Sequence, residues 1–548
     1  MSLRKRGLAS GALLLAGALA LTACSSGGSS DSGSGSGGTG GTYSIGQPDA
    51  PTLAPSNCYD LYCANIDNIL FTGLYTFQTE GSTMKAVPTD LLKSVETKDN
   101  GKTYTLTLNP GSTFTNGEAV TAKTFVDTWN FTANGGNGQQ LGFVFGPAQL
   151  NVEGYDKVAG EDSTDGVMSG LKAVDDTTIQ ITLVEPLGQT LFENFLAGPQ
   201  ILPMPSEAFK DIKAYNKQPI GNGPYKLSTP YSDTGLSAVK NPDYTGTPGV
   251  ADQIDFKFYT DDNAMWADLQ ANAVDVVYNL PVDFLSQYEA ILGDRYINEP
   301  SMSFSYEAYP TQAAEFKNKD VRIALAKAVD WNEINSKLYY GTRTVAKSFG
   351  PPTVPGGGTD ICGDNCTFDA AGAKALLEKA GGIPGNKVEI ASSKDQSQTA
   401  AEAECNQIQK NLGVECSIKL FPSFAKMIEG YQAIKEGDPG FILALGWGAD
   451  NPTLQNMIAP IFGTDSGSNY TGYSNTKFDD LIAKGNQANS EDAAITDWQD
   501  AEKVIYDDFA GHATQWRNNV GGYSTNVSNV MINPGGFVNA AEITINAG

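Results

Sequence analysis

The chain has 548 residues, of which 40% are hydrophobic and 18% are charged, and its formal net charge is -26. This length exceeds one ordinary core-forming unit, so we expect two or three compact bodies of α/β or α+β type, with room for a deep cleft. The composition excludes a fibrous or wholly disordered protein. The negative charge excludes a nucleic-acid-binding surface, so we expect no nucleic-acid partner.

Residues 1–23 are predicted to be a signal peptide. Residues 4–6 are basic, residues 8–21 are apolar, and the apolar stretch ends in Leu-Thr-Ala-Cys at 21–24. A short apolar stretch with a basic flank and small residues at its end is typical of a cleaved targeting segment. The last four residues resemble the lipobox of bacterial lipoproteins, which predicts that Cys24 is lipidated after cleavage. An ordinary cleavage site is the alternative.

Residues 24–42 are predicted to be a flexible tether, because 25–41 are nearly all serine and glycine. No later stretch approaches the roughly 20 apolar residues that a membrane-spanning helix needs. Loss of residues 1–23 removes three basic and no acidic side chains, which takes the net charge from -26 to -29. A surface of this charge repels anionic lipids, so membrane attachment depends on acyl chains at Cys24.

Strands and helices are predicted to alternate after the tether. Alternating apolar residues predict strands at 42–45, 103–108, 178–184 and 414–420. Helical spacing of apolar residues predicts helices at 65–74, 123–130, 321–338 and 402–411. Thr121 is a predicted N-cap, Asp330 and Asn332 indicate a break within 321–338, and Gly413 is a predicted C-cap. This order indicates a mixed sheet flanked by helices.

The cysteines predict disulfide bonds. If Cys24 is lipidated, six of the seven cysteines remain, and they fall in three close pairs, Cys58 with Cys63, Cys362 with Cys366, and Cys405 with Cys416. An even number outside the cytoplasm is typical of disulfides, and local pairing is the simplest of several open connectivities. A zinc site is the alternative, but the pairs are scattered and His512 is the only histidine.

Five groups of segments carry a resemblance to a known family. They are FTGL at 71–74, KTYTLTLNPGSTFTNGEAV at 102–120, NGPYKL at 222–227 with NPDY at 241–244, VRIAL at 321–325 with AVD at 328–330, and YSN at 473–475 with FD at 478–479. No single segment is specific. Taken in this order, they resemble the family 5 bacterial extracellular solute-binding proteins, the oligopeptide and dipeptide binders of ABC transporters.

The resemblance implies an α/β, two-lobed, periplasmic-binding-protein-like fold of type II, the Venus-flytrap fold, with an additional domain. By similarity, domain I comprises 43–79, 206–300 and 511–548, domain II is the additional domain at 80–205, and domain III is the second lobe at 301–510. Domain I is discontinuous because the chain leaves it and returns.

The same resemblance implies a function. We expect the substrate-binding lipoprotein of an ABC import system, which captures oligopeptides in an interdomain cleft and delivers them to the membrane permease. We expect a monomer held by its lipid anchor at the outer face of the cell membrane, without a cofactor and without catalytic activity.

A first site is implied after the predicted strand at 441–445. In the family, a similar W-x-A-D segment supplies main-chain partners for the peptide and an aspartate that pairs with its α-ammonium. The matching residues are Trp447, Gly448, Ala449 and Asp450. A carboxylate inside a closed cleft is costly unless it meets a cation, and a ligand ammonium supplies one. The alternative is that Asp450 caps a helix beginning near Pro452.

A second site is implied at Tyr59, Asp60 and Leu61, between Cys58 and Cys63. In the family, the segment before the first helix lies beside the peptide and pairs with it through main-chain groups, as in strand addition. The cysteines depart from the family pattern. The alternative is an ordinary surface loop stiffened by a disulfide.

Two other function classes remain open. A secreted hydrolase would need His512 in any Ser-His-Asp or Cys-His arrangement, and no GxSxG motif accompanies that histidine. Within the binding class, the same family includes binders of oligosaccharides, nickel and haem. Nickel and haem favour histidine ligands, of which the chain has one, and a sugar would favour aromatic platforms over a buried carboxylate.

Overall fold

The computed structural model describes residues 40–163 and 166–547. The predicted signal peptide at 1–23, Cys24 and residues 25–39 of the predicted tether lie outside the described residues. Within the described ranges, no helix is both long enough and apolar enough to cross a membrane.

Strands and helices alternate throughout the described residues, as predicted. The strands are β1 (Thr42–Gln47), β2 (Tyr75–Glu80), β3 (Thr83–Pro88), β4 (Leu92–Thr97), β5 (Thr103–Leu108), β6 (Leu171–Asp175), β7 (Thr178–Thr182), β8 (Tyr225–Ser232), β9 (Gly235–Lys240), β10 (Gln253–Phe258), β11 (Val276–Val277), β12 (Tyr296–Ala308), β13 (Arg343–Val345), β14 (Lys387–Ser393), β15 (Glu415–Phe421), β16 (Ile442–Gly448), β17 (Gly511–Tyr523), β18 (Val527–Ser528) and β19 (Thr544–Ile545). The α-helices are α1 (Leu61–Leu70), α2 (Ala122–Ala133), α3 (Tyr155–Val158), α4 (Gln189–Phe195), α5 (Ile212–Tyr215), α6 (Asp262–Gln270), α7 (Tyr288–Leu292), α8 (Lys319–Lys327), α9 (Trp331–Leu338), α10 (Ala370–Lys379), α11 (Thr399–Leu412), α12 (Phe424–Gln432), α13 (Leu454–Phe462), α14 (Thr476–Asn486) and α15 (Glu491–Asp508).

Local sequence signals account for the ends of several helices. The hydroxyl of Thr121 accepts the N–H of Thr124, and the hydroxyl of Thr124 accepts the N–H of Thr121, which forms a capping box at the start of α2. Asp330 separates α8 from α9 and accepts two N–H groups of α9. Gly413 ends α11 with a φ of 71°, a conformation that glycine adopts at little cost. These three predictions are confirmed.

The helix predicted at 65–74 is displaced. Instead, α1 begins at Leu61, because Asp60 caps it by accepting the N–H groups of Tyr62 and Cys63. It ends at Leu70, because Phe71 adopts an extended conformation. The apolar periodicity of 65–74 contained no information on this cap.

Two long strands join the halves of an eleven-stranded mixed sheet. The order is β15-β14-β16-β12-β17-β11-β1-β10-β9-β8, and β13 pairs with β17 outside this path. β12 and β17, each 13 residues long, pair antiparallel from Tyr296 with Gly522 to Ala308 with Gly511. Their pairing shifts register twice, between Pro300 and Phe304 and between Ser305 and Tyr306. The early strands β1 and β8–β11 and the later strands β14–β16 therefore share one continuous sheet through β12 and β17.

Buried side chains form three apolar clusters within residues 40–547. One cluster draws on 43–71, 202–297 and 527–543, so its segments are far apart in the chain. A small cluster lies within 265–292. The largest extends from 74–201, where β4, β5, β6 and β7 form a separate antiparallel sheet, to 302–513. The division into domains I, II and III stays a prediction.

The structure joins all three predicted cysteine pairs. Disulfide bonds connect Cys58 with Cys63, Cys362 with Cys366, and Cys405 with Cys416. Each closes a short loop, so each constrains a local turn rather than linking distant parts of the fold.

Glu502 is a fully buried carboxyl on α15. Its Oε1 accepts the N–H of Phe349, but burial outweighs this hydrogen bonding and raises the pKa of Glu502 to about 7. A folded pKa above the unfolded value of 4.5 means that the folded state retains a proton which the unfolded chain has released. The contribution of Glu502 to stability is therefore complete below pH 4.5 and decreases as the pH rises to about 7.

We predict that Glu502→Gln removes this pH-dependent loss of stability, because the amide keeps an acceptor oxygen and does not titrate. Relative to the wild type, the free energy of unfolding of the variant should rise by up to about 3 kcal/mol between pH 4.5 and pH 8. Urea denaturation at several pH values would measure the difference, with Glu378→Gln, an exposed glutamate, as the control. Parallel stability curves for the Glu502→Gln variant and the wild type would contradict the prediction.

Candidate functional site

The predicted segment 447–450 lies at the end of β16 and is fixed by main-chain and side-chain hydrogen bonds. Gly448 pairs with Ser303 of β12. The N–H of Ala449 donates to the carbonyl of Met302 at 3.1 Å. The indole Nε1 of Trp447 donates to the carbonyl of Asn456 at 2.9 Å. The segment is thus held in place before any solute binds, as a binding site requires.

The Asp450 carboxylate stands at the end of this fixed segment. The main-chain N–H of Asp450 donates to Oδ1 of Asn456 at 2.9 Å, and the residue is exposed to solvent. Desolvation by the surrounding protein nevertheless raises its pKa, and a hydrogen bond from the Asn456 side chain opposes the rise. A carboxylate inside an open recess is both exposed and partly desolvated, because water reaches it while protein surrounds it. Within the described residues, Asp450 forms no ion pair.

Asp450 is not a helix cap. The next helix, α13, begins at Leu454, and its N-cap is Thr453, whose hydroxyl accepts the N–H of Asn456. The capping alternative for Asp450 is therefore wrong. Asn456 contacts both Trp447 and Asp450, yet nothing in the sequence indicated a role for it, because the contact depends on the turn between β16 and α13.

The second predicted segment, 59–61, precedes and begins α1. The Asp60 carboxylate caps α1, as described above, and the carbonyl of Asp60 accepts the N–H of Ala64 at 3.2 Å, so both groups already have partners within the protein. Tyr59 is 56% exposed. In the part of the chain that the structure describes, its main-chain N–H and C=O form no hydrogen bond with another main-chain group. Such free groups are the requirement for main-chain pairing with an extended peptide.

One loop contacts both predicted segments. A side chain at Gly536 would begin 3.0 Å from Cδ2 of Leu61. The carbonyl of Pro534, two residues earlier, accepts the N–H of Met302 at 2.8 Å. Met302 in turn accepts the N–H of Ala449. The loop 533–537 therefore lies between segment 59–61 and segment 447–450, although the two are far apart in the sequence.

A large cavity lies elsewhere in the fold. It has a volume of about 1430 Å³ and is lined by residues from 68–90, 197–202, 294–300 and 530–542. This is ample space for a small solute. None of the seven predicted binding residues lines the cavity, whereas Pro534 does. Sequence reasoning missed it because its wall comes from stretches that are far apart in the chain.

Comparison with known proteins places these features in a wider context. Residues 86–469 match the group described as bacterial extracellular solute-binding proteins, family 5 middle. The chain is 26% identical over 451 residues to a dipeptide-binding protein of Escherichia coli K12, covering 78% of this chain and 80% of that one. It is 25% identical over 505 residues to the oligopeptide-binding protein OppA of Bacillus subtilis 168, covering 87% and 88%.

A solved structure has the same fold. The periplasmic murein tripeptide binding protein MppA, in its unliganded open form, superimposes with a TM-score of 0.77 at 20% sequence identity, covering 93% of this chain and 98% of that one. The predicted two-lobed, periplasmic-binding-protein-like α/β fold is confirmed.

Proposed function

Because the chain belongs to the family 5 bacterial extracellular solute-binding proteins, we propose that it captures oligopeptides outside the cytoplasm and delivers them to the permease of an ABC importer. The observation that carries the peptide assignment is the Asp450 carboxylate, which is exposed, partly desolvated and without an ion-pair partner in the described residues. Relatives named for binding dipeptides and oligopeptides support the same solute class.

A peptide α-ammonium suits the Asp450 carboxylate. When lobes close around a solute, a carboxylate in the recess loses water and needs a cation to offset that loss. An ammonium group restores both a charge partner and hydrogen bonds. Main-chain groups at Tyr59 and in segment 447–450 would pair with the peptide backbone, which allows varied side chains.

The structure gives less support to nickel or haem as the solute, and to hydrolysis as the activity. The single histidine, His512, is buried, its ring packs against those of Tyr309 and Phe509, and burial lowers its pKa. It is therefore not positioned to ligate nickel or haem in a solvent-open cleft or to act as a catalytic base. We propose a binding protein without catalytic activity.

We propose the domain organisation and the attachment to the membrane together. The two lobes are domain I, at 43–79, 206–300 and 511–548, and domain III, at 301–510, with domain II at 80–205 as the additional domain. Segment 24–42 then joins the monomeric body to a lipidated Cys24 at the outer face of the membrane. A tether of this composition leaves the body free to meet its permease.

We predict that Asp450→Ala weakens binding of tri-alanine by roughly 30- to 3000-fold, because loss of one partner leaves a buried ammonium unpaired. N-acetylation of the peptide should weaken its binding to the wild type similarly. Acetylation should have little further effect on the variant, because the pairing is already lost. Isothermal calorimetry with the four combinations measures this coupling.

The matched control is Thr453→Ala, which removes the true cap of α13 and should cost about 1 kcal/mol of stability while the Asp450 carboxylate remains. The Thr453→Ala variant should still bind tri-alanine with a free amine more tightly than N-acetylated tri-alanine. Additive losses in the four-way comparison, or normal binding by the Asp450→Ala variant, would contradict the peptide assignment.

We predict that Cys24→Ala moves the protein from the membrane fraction to the medium or periplasm and leaves the affinity for tri-alanine unchanged, since the tether separates the anchor from the body. Fractionation and immunoblotting, with Cys58→Ala as a cysteine control, would test it. Retention of the Cys24→Ala variant in membranes would contradict lipid anchoring.

A further inference from the structure

The large cavity lies where the three apolar clusters of the fold meet. Its volume of about 1430 Å³ exceeds the roughly 300 to 1000 Å³ that pockets for small molecules usually have. On its wall, Phe77 packs against the largest cluster, and Tyr296 packs against the small cluster within 265–292. Phe537 and Tyr523 pack against the third cluster, which draws on distant segments. Side chains that belong to all three clusters therefore border one open space.

Aromatic rings form much of this wall. The seven aromatic side chains that line the cavity are Phe71, Tyr75, Phe77, Tyr244, Tyr296, Tyr523 and Phe537. The first two are buried and the last five are half-buried. Within residues 40–163 and 166–547, none of the seven stacks on another, and no lysine or arginine lies over any of their rings. Half-buried rings without such partners can contact a ligand through their faces, which carry negative charge density.

The charged side chains on the cavity wall are all acidic. They are Asp90, Asp294, Glu299 and Glu542, and each is exposed. None of the four forms an ion pair with another described residue. No lysine, arginine or histidine of the described ranges lines the cavity. Carboxylates and ring faces both attract positive charge, so this wall favours a cation over an anion.

The cavity is separate from the candidate peptide site, although one loop contacts both. Asn533, Pro534 and Phe537 of the loop 533–537 line the cavity. The same loop contacts segments 59–61 and 447–450, as described above, but no residue of either segment lines the cavity. A solute in the cavity would therefore leave the predicted binding residues uncovered.

We propose that this cavity is a second binding site and that it binds a bulky organic cation with aromatic or apolar substituents. The exposed carboxylates attract the positive charge, and the ring faces contact both the cation and its substituents. The lack of basic side chains disfavours an anion of the same shape. The proposal goes beyond the proposed function and does not depend on it, because it uses none of the residues proposed to bind a peptide.

The test compares tetraphenylphosphonium with tetraphenylborate, two ions of nearly the same shape and opposite charge, by isothermal calorimetry at physiological ionic strength. The wild type should bind the phosphonium more tightly than the borate by about tenfold or more. Saturation with tri-alanine should leave the affinity for the phosphonium unchanged, because the two sites are separate. Asp450→Ala should likewise bind the phosphonium as the wild type does.

Two kinds of variant assign the binding to the cavity wall. Phe77→Leu keeps apolar bulk and removes a ring, so it should weaken phosphonium binding roughly 2- to 30-fold. Phe143→Leu is its matched control, because Phe143 is 50% exposed and lies outside the cavity. Glu299→Gln, which changes an exposed side chain, should weaken binding of the phosphonium but not of the borate. Its control is Glu378→Gln, at an exposed position that does not line the cavity.

Four outcomes would overturn the proposal. They are no binding of the phosphonium, equal binding of both ions, displacement of the phosphonium by tri-alanine, and equal losses for Glu299→Gln and Glu378→Gln, which would reveal attraction by net charge alone. Melting temperatures show which variants are folded, and the Glu299→Gln comparison decides the matter if Phe77→Leu is not. Phosphonium binding with these dependences in a protein that binds no tri-alanine would support the cavity site and contradict only the peptide assignment.

Discussion

The antiparallel pairing of β12 with β17 is the interaction on which the rest of the structure depends. These two strands belong to both halves of the eleven-stranded sheet, so they are the main-chain connection between the early and late parts of the described chain. Their register shifts between Pro300 and Phe304 and again between Ser305 and Tyr306. Such irregularities disrupt the ladder locally and bend the strand. Met302, within the first shift, bonds both to Ala449 of the candidate segment 447–450 and to Pro534 of the loop 533–537.

The Asp450 carboxylate is desolvated by the surrounding protein, which raises its pKa, and it is without an ion-pair partner in the described residues. The ion pairs in the described residues join lysines to carboxylates, and most of them are exposed and contribute little to stability. A cation supplied by the solute would offset the desolvation of Asp450 when the cleft closes.

Much of the fold could be predicted from local signals, because they depend on neighbouring residues. The alternation in 103–108 predicted β5, Thr121 predicted the start of α2, and Gly413 predicted the end of α11. The three disulfides also join cysteines that are close in sequence. The start of α1 was misplaced because the side chain that caps it, Asp60, precedes the apolar periodicity.

The parts that could not be predicted depend on contacts between distant segments. The cavity and the loop 533–537 arise from chain stretches that sequence reading treats separately. The most direct test of the account is a crystal structure of the protein with tri-alanine. The account predicts the peptide α-amino nitrogen at about 3 Å from the Asp450 carboxylate. A peptide held only in the cavity lined by 68–90 and 530–542, with Asp450 still in contact with water, would contradict it.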